Sequence, residues 1–226
     1  ASVFGLKEAL AQVDRQLCPL CASPSLAPYY KDNKRSYLGC AQCGLVSVPP
    51  RQHLSVEDEK AVYDLHQNAP DDIYYRRFLS RLTEPLLARL SANSQGLDFG
   101  CGPGPTLSVM MIEQGHKMAL YDIYYHHRPE VLLAEAQYDF VTSTEVVEHL
   151  ANPRQELDRL WSLIRPGGYL GLMTKLVTDH QSFACWHYKN DPTHINFFAK
   201  GSFVYLGHTW GSAPEFIGSD VIIFRK

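Results

Sequence analysis

Four of the six cysteines fall in two pairs, Cys18-Pro19-Leu20-Cys21 and Cys40-Ala41-Gln42-Cys43, with eighteen residues between the pairs. Two thiolates separated by two residues can grip one metal ion within a tight turn, and two such pairs close a tetrahedral sulfur site. Gly44 supports a backbone turn directly after the second pair. A four-sulfur site has no open coordination position, so the expected chemistry is structural: one zinc per chain on Cys18, Cys21, Cys40 and Cys43. The rival reading is four unrelated thiols or a redox pair, which requires two matched spacings by chance. Cys101 lies among glycines where a small residue is needed, and Cys185 reads as ordinary packing.

The second group is Gly96-Leu97-Asp98-Phe99-Gly100-Cys101-Gly102-Pro103-Gly104. A short apolar strand runs into three glycines at alternate positions, which let the backbone turn sharply and approach a ligand. The spacing differs from the G-x-G-x-x-G loop that cradles a pyrophosphate. Asp98 beside the loop suits a cationic ligand bearing an amino group. Asp122 lies 22 residues after Gly100, at the end of the next apolar run, where an acid can take both hydroxyls of a ribose.

The third group follows later strands. Glu145 and Glu148-His149 read as helix-capping acids or as groups facing cofactor and acceptor. Residues 176–198 hold Asp179, His180, Trp186, His187, Tyr188, Asp191, His194 and Asn196. A segment this long is a hydrogen-bonded scaffold or an acceptor-binding loop. A metal set of His187, Asp191 and His194 is disfavoured, because its spacing matches no helical ligand pair. Where a general base acts, the candidates are His194, His187 and His149, since neutral imidazole is available near pH 7.

These groups need elements to position them. Residues 1–50 read as a zinc-ribbon module, opened by an apolar pattern at Val3, Leu6, Leu10 and Val13 and closed by Pro49-Pro50. Residues 51–95 read as a helical lid or linker, with Pro85 expected to break or kink its later helix. Its Tyr63, His66, Tyr74, Tyr75 and Arg76 belong to a packed aromatic face or a closing lid. Residues 96–226 alternate strand-like and helix-like segments, the mark of an α/β, doubly wound, mostly parallel sheet. The predicted strands are 96–99, 118–121, 138–143 and 169–174, then a terminal hairpin of 215–218 and 221–224. The predicted helices are 106–114 and 153–164.

With these motifs in order, residues 96–174 resemble class I S-adenosylmethionine-dependent methyltransferases. Leu97 to Gly104 is similar to the family's first motif, Asp122 to its ribose acid, and Tyr138–Val141 through Thr144-Glu145-Val146-Val147-Glu148-His149-Leu150 to its fourth-strand motif. Leu163 to Leu170 is similar to the turn into its fifth strand. The resemblance implies a seven-stranded sheet with an antiparallel last strand, and methyl transfer in one displacement. It assigns Asp98, Gly100, Cys101, Gly102, Gly104, Asp122, Ile123, Thr144 and Glu145 to S-adenosylmethionine. One departure stands out: only 15 residues separate Asp122 from Tyr138, so the third strand is very short or missing and the adenine partner is unassigned.

The 226-residue chain is 45% hydrophobic and carries a net charge of -3, a balance with no global attraction to nucleic acid. No apolar run reaches the length of a membrane span and the first residues lack signal-peptide order, so the expectation is a cytoplasmic protein with no membrane and no DNA partner. Three acceptor readings follow. The favoured one is a small molecule, since the layout resembles that of sugar methyltransferases with fused ribbons. The second is RNA, docked by a ribbon whose Lys31, Lys34 and Arg35 alternate with Tyr29, Tyr30 and Tyr37. The third is a non-catalytic protein-binding module, which the intact cofactor motifs oppose.

Overall fold

The computed structural model describes residues 16–66 and 68–226; the apolar pattern at Val3, Leu6, Leu10 and Val13 lies outside them. The ribbon strands are β1 (Leu26–Lys31), β2 (Ser36–Cys40) and β3 (Val46–Ser47). Asp32 shapes the first turn, its Oδ1 accepting from the backbone N–H groups of Lys34 and Arg35 at 2.8 Å each. Helices α1 (Val56–Tyr63) and α2 (Ile73–Leu87) follow. Ser55 caps α1 through Asp58 N–H at 3.1 Å, and Asp72 caps α2 through the N–H groups of Tyr74 and Tyr75. Pro85 does not break α2 as expected. It falls in the last turn, where buried Leu82 and Leu86 hold the helix against the sheet.

The remaining elements are β4 (Gln95–Phe99), α3 (Thr106–Glu113), β5 (Lys117–Tyr121), β6 (Tyr138–Thr144), α4 (Pro153–Ser162), β7 (Ile164–Met173), α5 (His180–Ala184), β8 (Asn196–Phe197), α6 (Lys200–Trp210), β9 (Glu215–Ile217) and β10 (Val221–Arg225). The main sheet runs β5-β4-β6-β7-β10-β9. Strands β5, β4, β6 and β7 are parallel, and β10 is antiparallel to both its neighbours. This is the doubly wound, mostly parallel sheet read from the sequence, with its terminal hairpin, but among the described residues it has six strands rather than seven. Between Asp122 and Tyr138 the chain makes a backbone bridge from Asp122 to His126 and a 3-10 turn at Pro129–Leu132, leaving no length for a third-strand crossover. A second correction concerns Ile164, predicted to end a helix: it opens β7, opposite Tyr138.

Strand alternation divides the core between the two faces of the sheet. Phe140, Met173, Val221 and Ile223 pack against α2 and α3 through Leu79, Leu82, Leu107 and Met111. Val141, Leu170, Leu172, Ile222 and Phe224 pack against α4 and α6 through Leu157, Leu160, Phe203 and Leu206. A separate cluster joins ribbon and loop: Tyr37, Val46 and Val48 meet Phe183, Tyr188, Ile195 and Phe197. There β8 pairs with β3, Val46 opposite Phe197 and Ser47 opposite Asn196, so the ribbon sheet takes its fourth strand from the far end of the chain. Among the described residues no helix is long and apolar enough to cross a membrane.

Candidate cofactor and acceptor sites

The cysteine pairs converge as their spacing predicts. Cys18 Sγ lies 3.6 Å from Cys43 Sγ, Cys21 Sγ lies 3.5 Å from Cys40 Sγ, and all four sulfurs fall within 4.8 Å of one another. Sulfurs placed about 2.3 Å from a tetrahedral zinc are separated by about 3.8 Å, so this donor set fits the ion. Cys185 is exposed, against the expectation of ordinary packing.

At the carboxyl end of β4 each glycine answers a different demand. Gly100 sits at φ +76°, and a Cβ there would meet Val146 Cγ2 at 2.4 Å. Gly102, at φ +66°, faces open space, as a loop that admits a ligand must. At Gly104 a Cβ would strike the carbonyl of Asn68 at 1.9 Å, so this glycine admits the segment leading into α2. Asp98 is buried beneath the loop, held by Thr142 Oγ1 at 2.9 Å. Burial outweighs that hydrogen bond and pushes its carboxyl up to about 7. The site thus lacks a positive charge that a cationic ligand would supply.

Asp122 Oδ2 accepts from Gly102 N–H at 2.9 Å, and its Oδ1 accepts from the N–H groups of Tyr124 and Tyr125 at 2.9 and 3.1 Å. A carboxylate has about four acceptor sites, so capacity for ribose hydroxyls remains. Ile123 is 64% exposed, an apolar surface open to a purine ring. Burial and the charges of Asp98 and Asp122 push the Cys101 thiol far up, which leaves it a packing group rather than a nucleophile. Tyr124 donates to Glu59 Oε2 and Tyr125 to Asp64 Oδ1, each at 2.7 Å, so α1 is clasped to the Asp122 turn.

A buried polar cluster follows β6 and β7. Thr144 ends β6, and Glu145 turns the chain at φ +53°. The 3-10 turn Val147–His149 has no side-chain cap and the next α-helix begins only at Pro153, so Glu145 and Glu148 cap neither. Instead Glu148 is fully buried and accepts from Thr174 Oγ1 at 3.0 Å. The Tyr188 hydroxyl lies 2.6 Å from Glu148 Oε1 and 2.9 Å from Glu145 Oε2. One phenol has one proton, so the second contact needs a proton from a carboxyl. Burial first, and then the charge of Glu148, pushes Glu145 up to about 9. Burial also raises Glu148.

Two of the three candidate histidines meet here. The rings of His149 and His194 lie 4.7 Å apart, centroid to centroid. His149 Nδ1 faces the Thr193 carbonyl at 3.1 Å, and His194 Nδ1 faces the Tyr188 carbonyl at 2.6 Å. Each Nδ1 therefore carries the proton and each Nε2 keeps a lone pair. Burial lowers His149, and burial together with His149 lowers His194 to about 4, so both are neutral near pH 7. His187 stands exposed on the 3-10 turn His187–Asn190 and is not brought into the cluster.

Sequence reasoning missed what holds this loop. Arg35, read as part of a basic ribbon surface, is buried. Its Nη1 donates to the carbonyls of His194 and Pro192 at 2.8 and 3.2 Å, and its Nη2 to those of Lys189 and Asp191 at 2.6 and 3.2 Å. Tyr37 is buried with it and donates to Asp32 Oδ2 at 3.0 Å. No local signal marks such a clamp, because its partners lie more than 150 residues away.

Residues 72–211 match the family described as methyltransferase domain. The chain belongs to that family, and its sheet and glycine loop define the class of S-adenosylmethionine-dependent methyltransferases. It is 38% identical over 105 residues to ubiquinone biosynthesis O-methyltransferase of Ruegeria pomeroyi, covering 46% of this chain and 40% of that protein. It is 31% identical over 101 residues to tRNA 5-carboxymethoxyuridine methyltransferase of Escherichia coli K12, covering 34% of this chain and 38% of that protein. The chain thus spans well under half the length of these relatives. In fold it is similar to 1,6-didemethyltoxoflavin-N1-methyltransferase of Burkholderia thailandensis, solved with S-adenosylhomocysteine, at a TM-score of 0.52 and 17% identity over 88% of this chain and 98% of that one.

Proposed function

We propose that the protein transfers a methyl group from S-adenosylmethionine to a hydroxyl of a small-molecule acceptor, held against Glu145, Glu148, His149 and His194 at the ends of β6 and β7. S-adenosylmethionine supplies a sulfonium methyl and leaves as S-adenosylhomocysteine. Gly102 admits it, Asp98 faces its ammonium, Asp122 takes its ribose, and Ile123 covers one side of the purine. Thr144 and Glu145 close the cofactor site toward the acceptor. A neutral amine attacks with its own lone pair, whereas a hydroxyl must lose a proton. A cluster with two unprotonated imidazole nitrogens is suited to the second case.

The observation that carries the small-acceptor reading is the Arg35 clamp. The basic and aromatic side chains that would form an RNA-docking face are split, with Arg35 and Tyr37 turned inward to brace the acceptor loop. The ribbon then serves as a structural brace, fixed by one zinc on Cys18, Cys21, Cys40 and Cys43. The RNA reading retains one observation: a cavity of about 450 Å³ on the ribbon, lined by Tyr29, Tyr30, Lys31 and Arg51 among others. Transfer of radiolabelled methyl into fractionated metabolite, RNA and protein pools separates the two. Label in the metabolite pool is expected; label confined to RNA would overturn the proposal.

A further inference from the structure

The Glu148, His149 and His194 cluster has features that proton transfer alone does not require. Their ligand atoms lie within 4.8 Å of one another, and His149 Nε2 is 3.8 Å from Glu148 Oε1. Donors about 2.1 Å from one ion lie at most about 4.2 Å apart, so the closest pair is already within range.

Both imidazoles are tethered at Nδ1 to backbone carbonyls, of Thr193 and Tyr188, which leaves their Nε2 lone pairs available to a ligand. This is how histidines are oriented on metals, with the far nitrogen anchored to an acceptor. Glu148 is fixed through both oxygens, Oε2 accepting from Thr174 and Oε1 from Tyr188, and each oxygen keeps a second lone pair. A separate observation points inward as well. Glu145 Oε1 is buried with no hydrogen-bond partner among the described residues.

The charge around the cluster is one-sided. Glu59 approaches from α1, Glu145 and Glu148 from the turn after β6, and Asp191 from the loop after β7, its Oδ2 3.6 Å from His194 Nε2. Two cations stand near. Lys175 is exposed and lies over the Tyr188 ring at 5.5 Å. The Arg35 guanidinium is spent on backbone carbonyls.

We propose that Glu148, His149 and His194 bind a divalent transition-metal ion, with the open positions facing the acceptor. Two nitrogens with carboxylate oxygens suit manganese, iron, cobalt or zinc, and differ from the all-sulfur set of the ribbon. Spacing along the chain does not reveal this site, because its donors come from two segments, 148–149 and 194, and exclude His187. Its role in the reaction rests on the acceptor reading above; binding of the ion does not. There both Nε2 lone pairs are on the ion, so the ion and not an imidazole favours the ionised form of the acceptor hydroxyl, whose proton leaves to solvent. The oxygen–methyl bond forms as the sulfur–methyl bond breaks, and the sulfonium becomes a thioether.

The test uses the full chain with the ribbon already filled with zinc, and Mn²⁺ and Co²⁺ as probes. Paramagnetic resonance should show one Mn²⁺ per chain, weakened at least ~10-fold in both His194→Ala and Glu148→Gln. Co²⁺ should give a d–d spectrum with no thiolate charge-transfer band. S-adenosylhomocysteine binding, measured alongside, should persist in both variants and so report their folding. Absence of Mn²⁺ and Co²⁺ binding to the wild-type chain, or binding by His194→Ala and His149→Ala as tight as by the wild-type chain, would overturn the metal site. Loss of S-adenosylhomocysteine binding by the wild-type chain would instead count against the cofactor reading alone.

Discussion

Arg35 and His194, 159 residues apart, are joined by a 2.8 Å hydrogen bond from the guanidinium Nη1 to the histidine carbonyl. Three more carbonyls of the same loop accept from the same group. The ribbon thereby fixes the backbone that carries a candidate catalytic imidazole. The relationship accounts for a four-cysteine ribbon beside a methyltransferase sheet without requiring a macromolecular partner.

Arg35→Met should therefore reduce turnover more than it reduces zinc content. It leaves four carbonyls without their donor, and a loss of about 3 kcal/mol in stability is expected for such a buried charged group. Arg35→Lys should recover little, since one ammonium cannot reproduce the planar fork. Denaturant melts, zinc analysis and kcat on the three proteins check this. A turnover within twofold of wild type in Arg35→Met would remove the bracing role.

Legibility in the sequence followed the range of the interactions. The cysteine spacing, the Gly100–Gly104 loop and Asp122 were readable because each is local: a turn, a left-handed backbone or a strand end. The sheet was readable from alternation, apart from its third strand, where the short 122–138 interval was the warning. The clamp of Arg35, the burial of Glu148 and the pairing of Ser47 with Asn196 depend on chain segments far apart, and no periodicity encodes them. His149 was legible as a candidate, but its partnership with His194 rather than His187 was not.

Cofactor affinity should depend on pH through Asp98. Its folded carboxyl is raised to about 7 by burial, so the ligand-free protein takes up its proton below that pH. An ammonium favours the carboxylate, so binding below pH 7 must release the proton. S-adenosylhomocysteine affinity should rise from pH 5.5 to about 7 and then level off. Linkage also sets the sign for the ligand-free fold: a raised carboxyl contributes stability at low pH that is lost as pH rises through about 7. Asp98→Asn should flatten both dependences; calorimetry and thermal melts across this range would expose an unchanged slope.

Two glycine variants should fail differently. Gly100→Ala meets Val146 and also requires a left-handed backbone, so it should lower stability and cofactor affinity together. Gly102→Ala has open space and pays only the backbone term, roughly 1 kcal/mol, while placing a methyl where the ligand approaches. Adding Val146→Ala should recover part of the first defect and none of the second. Melting temperature and S-adenosylhomocysteine affinity on the single and double variants decide the point.

Removing the ribbon metal should disable the acceptor loop before the cofactor site. Strand β3 ends the ribbon and pairs directly with β8, two residues past His194, so loosening one frees the other. A chelator strong enough to strip the four-sulfur site should lower kcat and raise hydrogen exchange over residues 189–197. The β4 loop, anchored by Asp122 and Thr142, should keep its S-adenosylhomocysteine affinity within severalfold. Coincident loss of both would mean that the ribbon supports the whole fold.

Tyr188→Phe isolates the proton that links the two buried glutamates. The ring remains to pack on His194 and Trp186, while the hydroxyl between Glu145 and Glu148 is lost. Two carboxyls then face each other with one fewer donor, which costs about 1–2 kcal/mol. If the cluster activates an acceptor, kcat should fall ~10- to 100-fold, with cofactor affinity unchanged. The pH profile of kcat should also shift, because the phenol helps set which carboxyl is ionised. A purely structural hydroxyl would lower the melting temperature and leave that profile in place, so the profile is the measurement that distinguishes the two roles.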